Sequence, residues 1–220
     1  MRKFVINLLL VLLFFPFLLM SQNIPVVYAQ GGSSWAEWKE YLTDEALWAT
    51  GVSNFFNTSS SSTLATQGSS SYDAYNLKDW DPNTSWVEGE SDYGIGEYFL
   101  VFPQENFDDD RLPAVFEVPN RIYNGYQKSY SLWIKNSRVK KFKIYTTDYY
   151  MDEHYFDGED YQSVYEPVCY LILQDKMGGQ YFDLPITLSG NFVIKFEIVE
   201  VYKGDKWSDV AITELHRVQH

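Results

Sequence analysis

A single cysteine, Cys169, stands among 220 residues, so no internal disulfide can form and Cys-rich zinc sites are excluded. Histidine is scarce too: His154, His216 and His220 are little material for a metal centre or a catalytic triad. Basic residues are few, with 17 Lys and Arg against 30 Asp and Glu and a formal net charge of −13. Such a surface repels phosphate backbones, and only Arg138–Lys143 interrupts it, which argues against nucleic acid as a partner. No Gly-rich phosphate loop is present, because Gly94-Ile95-Gly96 is a bare G-x-G. A G-x-S-x-G nucleophile elbow is absent, as is any internal repeat. A glycosidase needs two flanking carboxylates, but 30 acids give chance pairs in any fold. The expectation is a protein without catalysis.

Aromatic residues are what the chain has in excess, 18 Tyr, 15 Phe and 7 Trp. Interspersed with Gly, Asn and Ser turns, they lean towards β structure, since aromatic rings fit a half-buried pleated surface.

One long apolar run exists, and it lies at the start. Arg2 and Lys3 precede Phe4–Met20, apolar except for Asn7 and Pro16; Ser21-Gln22-Asn23 follows, then Val27-Tyr28-Ala29. Small or short residues at Val27 and Ala29 suit signal-peptidase cleavage after Ala29, with an uncleaved N-terminal anchor as the alternative. The expected organisation is a signal peptide over 1–29, a segment with a short helix over 30–51, and a β domain over 52–220. Cleavage takes the charge from −13 to −15 by removing Arg2 and Lys3. The expected location is outside the cell or in the periplasm or cell envelope, with no membrane span left in the mature chain.

Trp35, Trp38, Leu42, Leu47 and Trp48, spaced by threes and fours, predict one amphipathic helix from about Trp35 to Ala49, a lid on the body. Asn57–Ser71 and the acidic stretch Asp148–Asp160 read as loops. Strands are expected at Glu97–Phe102, Ala114–Val118, Arg121–Asn124, Ser131–Ile134, Val139–Thr146, Val168–Gln174, Phe192–Val201 and Val210–Val218. Phe192, Ile194, Phe196 and Ile198 alternate with Lys195 and Glu197, the period-two pattern of a strand with one face on a core. Short strands divided by turn residues predict an all-β sandwich.

The most informative stretch runs from Asn76 to Glu90. Asp79, Asp81 and Asn83 alternate, with Glu90 at the twelfth position from Asp79, but Thr84 stands where a helix-loop-helix calcium loop needs Gly. That motif is rejected. Two readings of the turn stay open: hard oxygen ligands around Ca²⁺, or an Asx-type turn whose side chains bond their own backbone.

Asp79-Trp80-Asp81-Pro82-Asn83-Thr84-Ser85-Trp86 resembles the D-G-D-x-x-T-x-W turn of discoidin-like domains, the coagulation-factor type C group with a galactose-binding-like jelly roll. Three further blocks are similar to one branch of that group, the glycan-binding translocation-type domain found beside bacterial NAD glycohydrolase toxins. They are Trp86-Val87-Glu88-Gly89 with Gly94-Ile95-Gly96-Glu97, then Asn124–Ser129 with Asn136–Lys140, then Val201–Glu214. The resemblance spans about Val52 to Val218. It implies a jelly-roll β-sandwich whose loops at one end bind a ligand, commonly a carbohydrate. It also implies a structural Ca²⁺ in the turn, with Asp79, Asp81, Thr84 and Glu214 as the matching residues. Trp80 departs from the pattern by standing where Gly is usual, and a left-handed backbone there would strain a bulky residue. No NAD glycohydrolase catalytic region accompanies the domain, so that activity is not carried over.

Sugar recognition needs a flat apolar platform and paired donors and acceptors. On the expected loops Trp80, Tyr93, Tyr126 and Trp207 supply rings, and Glu88, Glu90, Lys128 and Arg138 supply polar partners; Trp86 is read as core. Two functions compete: a lectin-like module holding a cell-surface or envelope glycan, or a structural or protein-interaction domain of the bacterial envelope.

Overall fold

The structure, a computed structural model, describes residues 23–37, 56–103, 120–148, 165–186 and 192–217. Eleven strands lie among the described residues: β1 Val26–Tyr28, β2 Gln30–Ser33, β3 Phe56–Ser60, β4 Trp86–Val87, β5 Tyr98–Pro103, β6 Asn120–Asn124, β7 Arg138–Asp148, β8 Glu166–Ile172, β9 Met177–Phe182, β10 Phe192–Tyr202 and β11 Ala211–Arg217. One six-residue helix, α1, spans Tyr130–Lys135, and a 3-10 turn spans Ala74–Leu77. The strands form a six-stranded sheet ordered β1-β8-β7-β10-β5-β3 and a five-stranded sheet ordered β2-β9-β6-β11-β4. This is the two-layer β-sandwich expected from the alternating pattern.

The core lies between the sheets and is aromatic at its centre. Phe99 stacks on Phe196 at 4.7 Å, and Phe142 meets both rings edge-on at 5.8 and 5.7 Å. Trp86 closes the stack against Phe99 at 5.6 Å, with its indole N–H donated to the Ser62 carbonyl at 3.1 Å. Its expected place in the core is observed. In β10, Ile194, Phe196 and Ile198 are fully buried while Lys195 and Glu197 are half-buried, so period two holds. Cys169 is sealed in the same core, and burial pushes its thiol up to about 12, so it is an inert apolar filler.

The strand expectations at 97–102, 121–124, 139–146, 168–174, 192–201 and 210–218 are met within a few residues. Ser131–Ile134 is helical instead, because Ser129 caps the turn by accepting the Leu132 N–H at 3.2 Å. Trp133 then points inward and donates its indole N–H to the Asn124 carbonyl at 3.0 Å. Gly125, at φ 86°, lies beneath that indole, where a Cβ would meet Trp133 Cδ1 at 2.6 Å. Part of the expected 57–71 loop is strand β3, paired with β5. Ala114–Val118, the acidic stretch 149–160 and Trp38–Ala49 lie outside the described residues. Residues 35–37 are helical, and Trp35 packs against Tyr123, Trp133 and Met177 as a lid would.

The start of the chain enters both sheets. Val26–Tyr28 pairs in parallel with Tyr170–Ile172, and Gln30–Ser33 pairs with β9. Between them Ala29 is buried, and its N–H donates to the Ile172 carbonyl at 2.9 Å. Cleavage after Ala29 would remove β1 from the sheet it completes. A chain beginning at Gln30 is therefore expected to melt roughly 5 °C or more below one beginning at Asn23, through lost Val27 packing and ladder hydrogen bonds. Equal melting temperatures would show β1 to be dispensable.

Candidate functional site

The Asp79–Thr84 turn is built by its own polar groups. Asp73 caps the preceding 3-10 turn by accepting the Tyr75 N–H at 2.8 Å, and Asn76 donates to the Ser71 and Ser85 carbonyls, both at 2.9 Å. The Asp81 N–H donates to Asp79 Oδ1 at 3.0 Å and to Glu214 Oε1 at 3.1 Å. Thr84 Oγ1 donates to Asp79 Oδ2 at 2.7 Å. Asp81 turns its own carboxylate outward, accepting the Asn83 N–H at 2.8 Å and Asn83 Nδ2 at 2.7 Å. Tyr126 OH donates to the Asn83 carbonyl at 3.2 Å.

Glu214, from β11, is fully buried beneath this turn. Burial above all, then hydrogen bonding to Asp79 and its charge, push the Glu214 carboxyl well above the usual carboxylate range. Its second oxygen lies 3.0 Å from His216 Nε2. Burial, and then the charge of Arg121, press the His216 imidazole down to about 3, so it is neutral at pH 7. Asp79, Thr84 and Glu214 are thus brought together under the turn, with Asp81 contributing its backbone N–H there and its carboxylate to Asn83. Among the described residues, no group of three or more His, Cys, Asp or Glu side chains is placed to hold a metal ion. The turn has the geometry of an Asx-type turn, with Asp79 Oδ1 accepting the N–H of Asp81 two residues on.

Trp80 sits in that turn at φ 61°, in the left-handed region where the resembling sequences carry Gly. Its ring stacks on His216 at 3.9 Å. Tyr93 is the other non-glycine residue with positive φ, at 69°, among the described residues. Its ring lies 4.4 Å from Lys203 Nζ. A left-handed backbone costs roughly 1 kcal/mol or more at a non-glycine residue.

A second group of loops meets at the end of the sandwich where β4 and β10 finish and β7 and β11 begin. The Trp207 N–H donates to the Lys135 carbonyl at 2.8 Å, and Lys206 Nζ lies 4.4 Å from the Trp207 ring. Tyr93 and Trp207 are half-buried, and Glu90 and Lys128 are exposed. Lys203 and Lys206 were not singled out from the sequence, although both lie within the Val201–Glu214 block.

Two expected site residues are corrected. Glu88 is fully buried, and its carboxylate accepts the Val210 N–H at 3.1 Å and the Glu90 N–H at 2.8 Å. Burial raises its pKa, and no rim position is left to it. Arg138, 6% exposed, forms a two-pronged ion pair with Asp175 at 2.7 and 3.1 Å. It also donates to the Trp133 and Asn136 carbonyls at 3.0 and 2.9 Å. Both are braces of the loops, because each side-chain nitrogen of Arg138 and each carboxylate oxygen of Glu88 is hydrogen-bonded within the fold.

Solved structures with this architecture include the CBM32-1, CBM32-2 and M60 catalytic domains of Clostridium perfringens ZmpB, at TM-score 0.51 and 12% identity, covering 89% of this chain and 17% of that one. Clostridium perfringens CpGH89CBM32-5, solved with GalNAc-β-1,3-galactose, matches at TM-score 0.46 and 13% identity over 73% of this chain and 92% of that one. The family 32 CBM of Clostridium perfringens NanJ, solved with galactose, matches at 0.43 and 14% over 73% and 90%. A two-domain Bacteroides fragilis protein matches at 0.44 and 12% over 74% of this chain, which spans 42% of its length. No curated protein sequence matches the chain. The model of the NAD glycohydrolase translocation F5/8 type C domain matches residues 49–217. With its sandwich and its motif blocks in place, the chain belongs to that family.

Proposed function

We propose that the chain is an exported, non-catalytic carbohydrate-binding module of bacterial origin, taking a cell-surface or envelope glycan on its loops. Tyr93, Trp207 and Glu90, with Lys203 and Lys206, form the rim at one end, and Trp80 with Tyr126 flank the neighbouring turn. The observation that carries this reading is the backbone of Trp80 and Tyr93. The only two non-glycine residues held left-handed among the described residues are both aromatic and both on loops. Strain of that kind is kept where a ring must be presented in a fixed direction. Membership of the family and the fold shared with the ZmpB CBM32 domains support it.

Tyr93→Gly removes the strain and the platform together. The variant is expected to melt at or slightly above the parent temperature, by roughly 1 kcal/mol, while losing about tenfold or more of its retention on a glycan array. Trp80→Gly is expected to lose retention too, with a small stability cost from the missing stack on His216. If both variants bind as the parent does, the rings are not platforms and the lectin-like reading fails.

The turn is proposed to be held by its hydrogen bonds rather than by a cation. Chelator and millimolar Ca²⁺ are both expected to leave the melting curve in place, since only a ligand of the native state shifts it. A rise of several degrees with Ca²⁺ would return the ion to Asp79, Asp81, Thr84 and Glu214.

A further inference from the structure

The outer face of the five-stranded sheet carries a guanidinium in an unusual setting. Cross-strand register places His216 of β11 beside Arg121 of β6, and Arg121 beside Tyr181 of β9. Arg121 Cζ lies 5.2 Å from the Tyr123 ring and 5.8 Å from the Tyr181 ring. Such contacts attract the cation to the rings without using its N–H donors. One hydrogen bond is made by those donors, from Nη2 to His216 Nδ1 at 3.3 Å. Because Nδ1 accepts, Nε2 carries the imidazole proton and donates it to Glu214 Oε2 at 3.0 Å. The imidazole therefore offers Arg121 no negative charge.

Arg121 Nε is buried and has no hydrogen-bond partner. No carboxylate pairs with this guanidinium among the described residues. The strand beneath is shaped for it as well: a Cβ on Gly179 would collide with Arg121 Cδ and would meet Tyr123 Cζ at 3.3 Å. Gly31 likewise gives way to the Tyr181 ring, where a Cβ would meet Cδ2 at 3.1 Å. A cation beside two aromatic rings and a glycine, with no counter-ion among the described residues, has the geometry that a planar anion completes by two parallel N–H···O bonds.

We propose that Arg121, between Tyr123 and Tyr181 on the outer face of the five-stranded sheet, binds the carboxylate of an acidic sugar, a uronic or sialic acid residue. The guanidinium takes the carboxylate, and Tyr181, 40% exposed, offers its ring to the C–H face of the pyranose. Because Nε is buried, the carboxylate reaches it only if Tyr181 swings aside. This site lies apart from the loop rim and does not rest on glycan binding there.

The test follows the Arg121 Nε–Hε resonance by NMR during titration with glucuronate, acetate, glucose and inorganic phosphate. Glucuronate is expected to shift it saturably in the millimolar range, at least about fivefold more tightly than acetate, with no response to glucose. Arg121→Gln is expected to abolish glucuronate binding measured calorimetrically, and Arg121→Lys to weaken it about tenfold or more, because an ammonium cannot form the fork. Both variants are expected to melt within a few degrees of the parent, since loss of the Nη2–His216 bond is offset by removal of the unpartnered buried Nε–H. Gly179→Ala displaces the arginine and is expected to lose binding as well. An Nε resonance indifferent to glucuronate overturns the proposal, as does binding retained by Arg121→Gln. Equal affinity for acetate or phosphate overturns the assignment to a sugar.

Discussion

Arg138→Ala is expected to lower the melting temperature by roughly 5–15 °C, about 2–4 kcal/mol, and to leave no folded protein with selectively impaired glycan retention. The guanidinium is the joint between α1, the start of β7 and the Asp175 loop. Its Nη1 satisfies the buried carbonyls of Trp133 and Asn136, its Nε and Nη2 take Asp175, and its Cζ lies 4.3 Å from the centre of the Trp133 ring. Asp175 is 40% exposed on its side chain, so solvent screening discounts the ion pair. Most of the loss therefore comes from the two carbonyls left without donors and from the cavity beside Trp133 and Gly125. Arg138→Lys is expected to recover only part of it, because one ammonium cannot reach the same four acceptors. An Arg138→Ala protein that melts like the parent but loses glycan would restore this residue to the binding surface.

Glu214→Ala is expected to be the other severe change, at about 3–5 kcal/mol. Removing the carboxyl strips an acceptor from the Asp81 N–H and from His216 Nε2, and leaves Asp79 facing a cavity. All of this happens at a residue with no exposed surface. Glu214→Gln separates charge from shape. A carboxyl held well above its usual range resembles the neutral acid, and an amide of the same size can still accept from Asp81 and fill the space, although its NH2 then meets the His216 Nε2 proton. Gln is thus expected to cost under half of what Ala does, read from chemical denaturation midpoints. If Gln proves as damaging as Ala, the ionised carboxylate is what the turn requires.

These two residues show why charge could not be placed from sequence. Glu88, Glu90, Lys128 and Arg138 look alike along the chain: charged, near turns, inside family blocks. Glu90 and Lys128 are exposed, whereas Glu88 and Arg138 are interior braces. The difference arises where loops from distant parts of the sequence meet, as Glu88 does with Val210 and Arg138 with Asp175. No local pattern encodes such meetings. Arg121 is the converse case: an ordinary strand residue in sequence, it becomes notable only because β9 offers Gly179 and Tyr181 beside it.

Ser131–Ile134 makes the same point for secondary structure. Its apolar spacing suits a strand, yet the Ser129 cap and the seat that Asn124 and Gly125 provide for Trp133 draw it into a helix. Strand β1 lies where the sequence suggests an export signal and β2 directly after it, and nothing in Val26–Ser33 announces that β8 and β9 await them.

The amino-acid order alone determined the two-layer architecture, the aromatic core and the family, because alternation of apolar residues and the spacing of turn residues are local properties that survive in one dimension. Tertiary structure alone decided which carboxylates and guanidinium groups are sealed inside, how the Asp79–Thr84 turn is closed, and which side chains stand beside Arg121. Burial and hydrogen-bond partnership are properties of neighbours in space, and here those neighbours stand up to 133 positions apart.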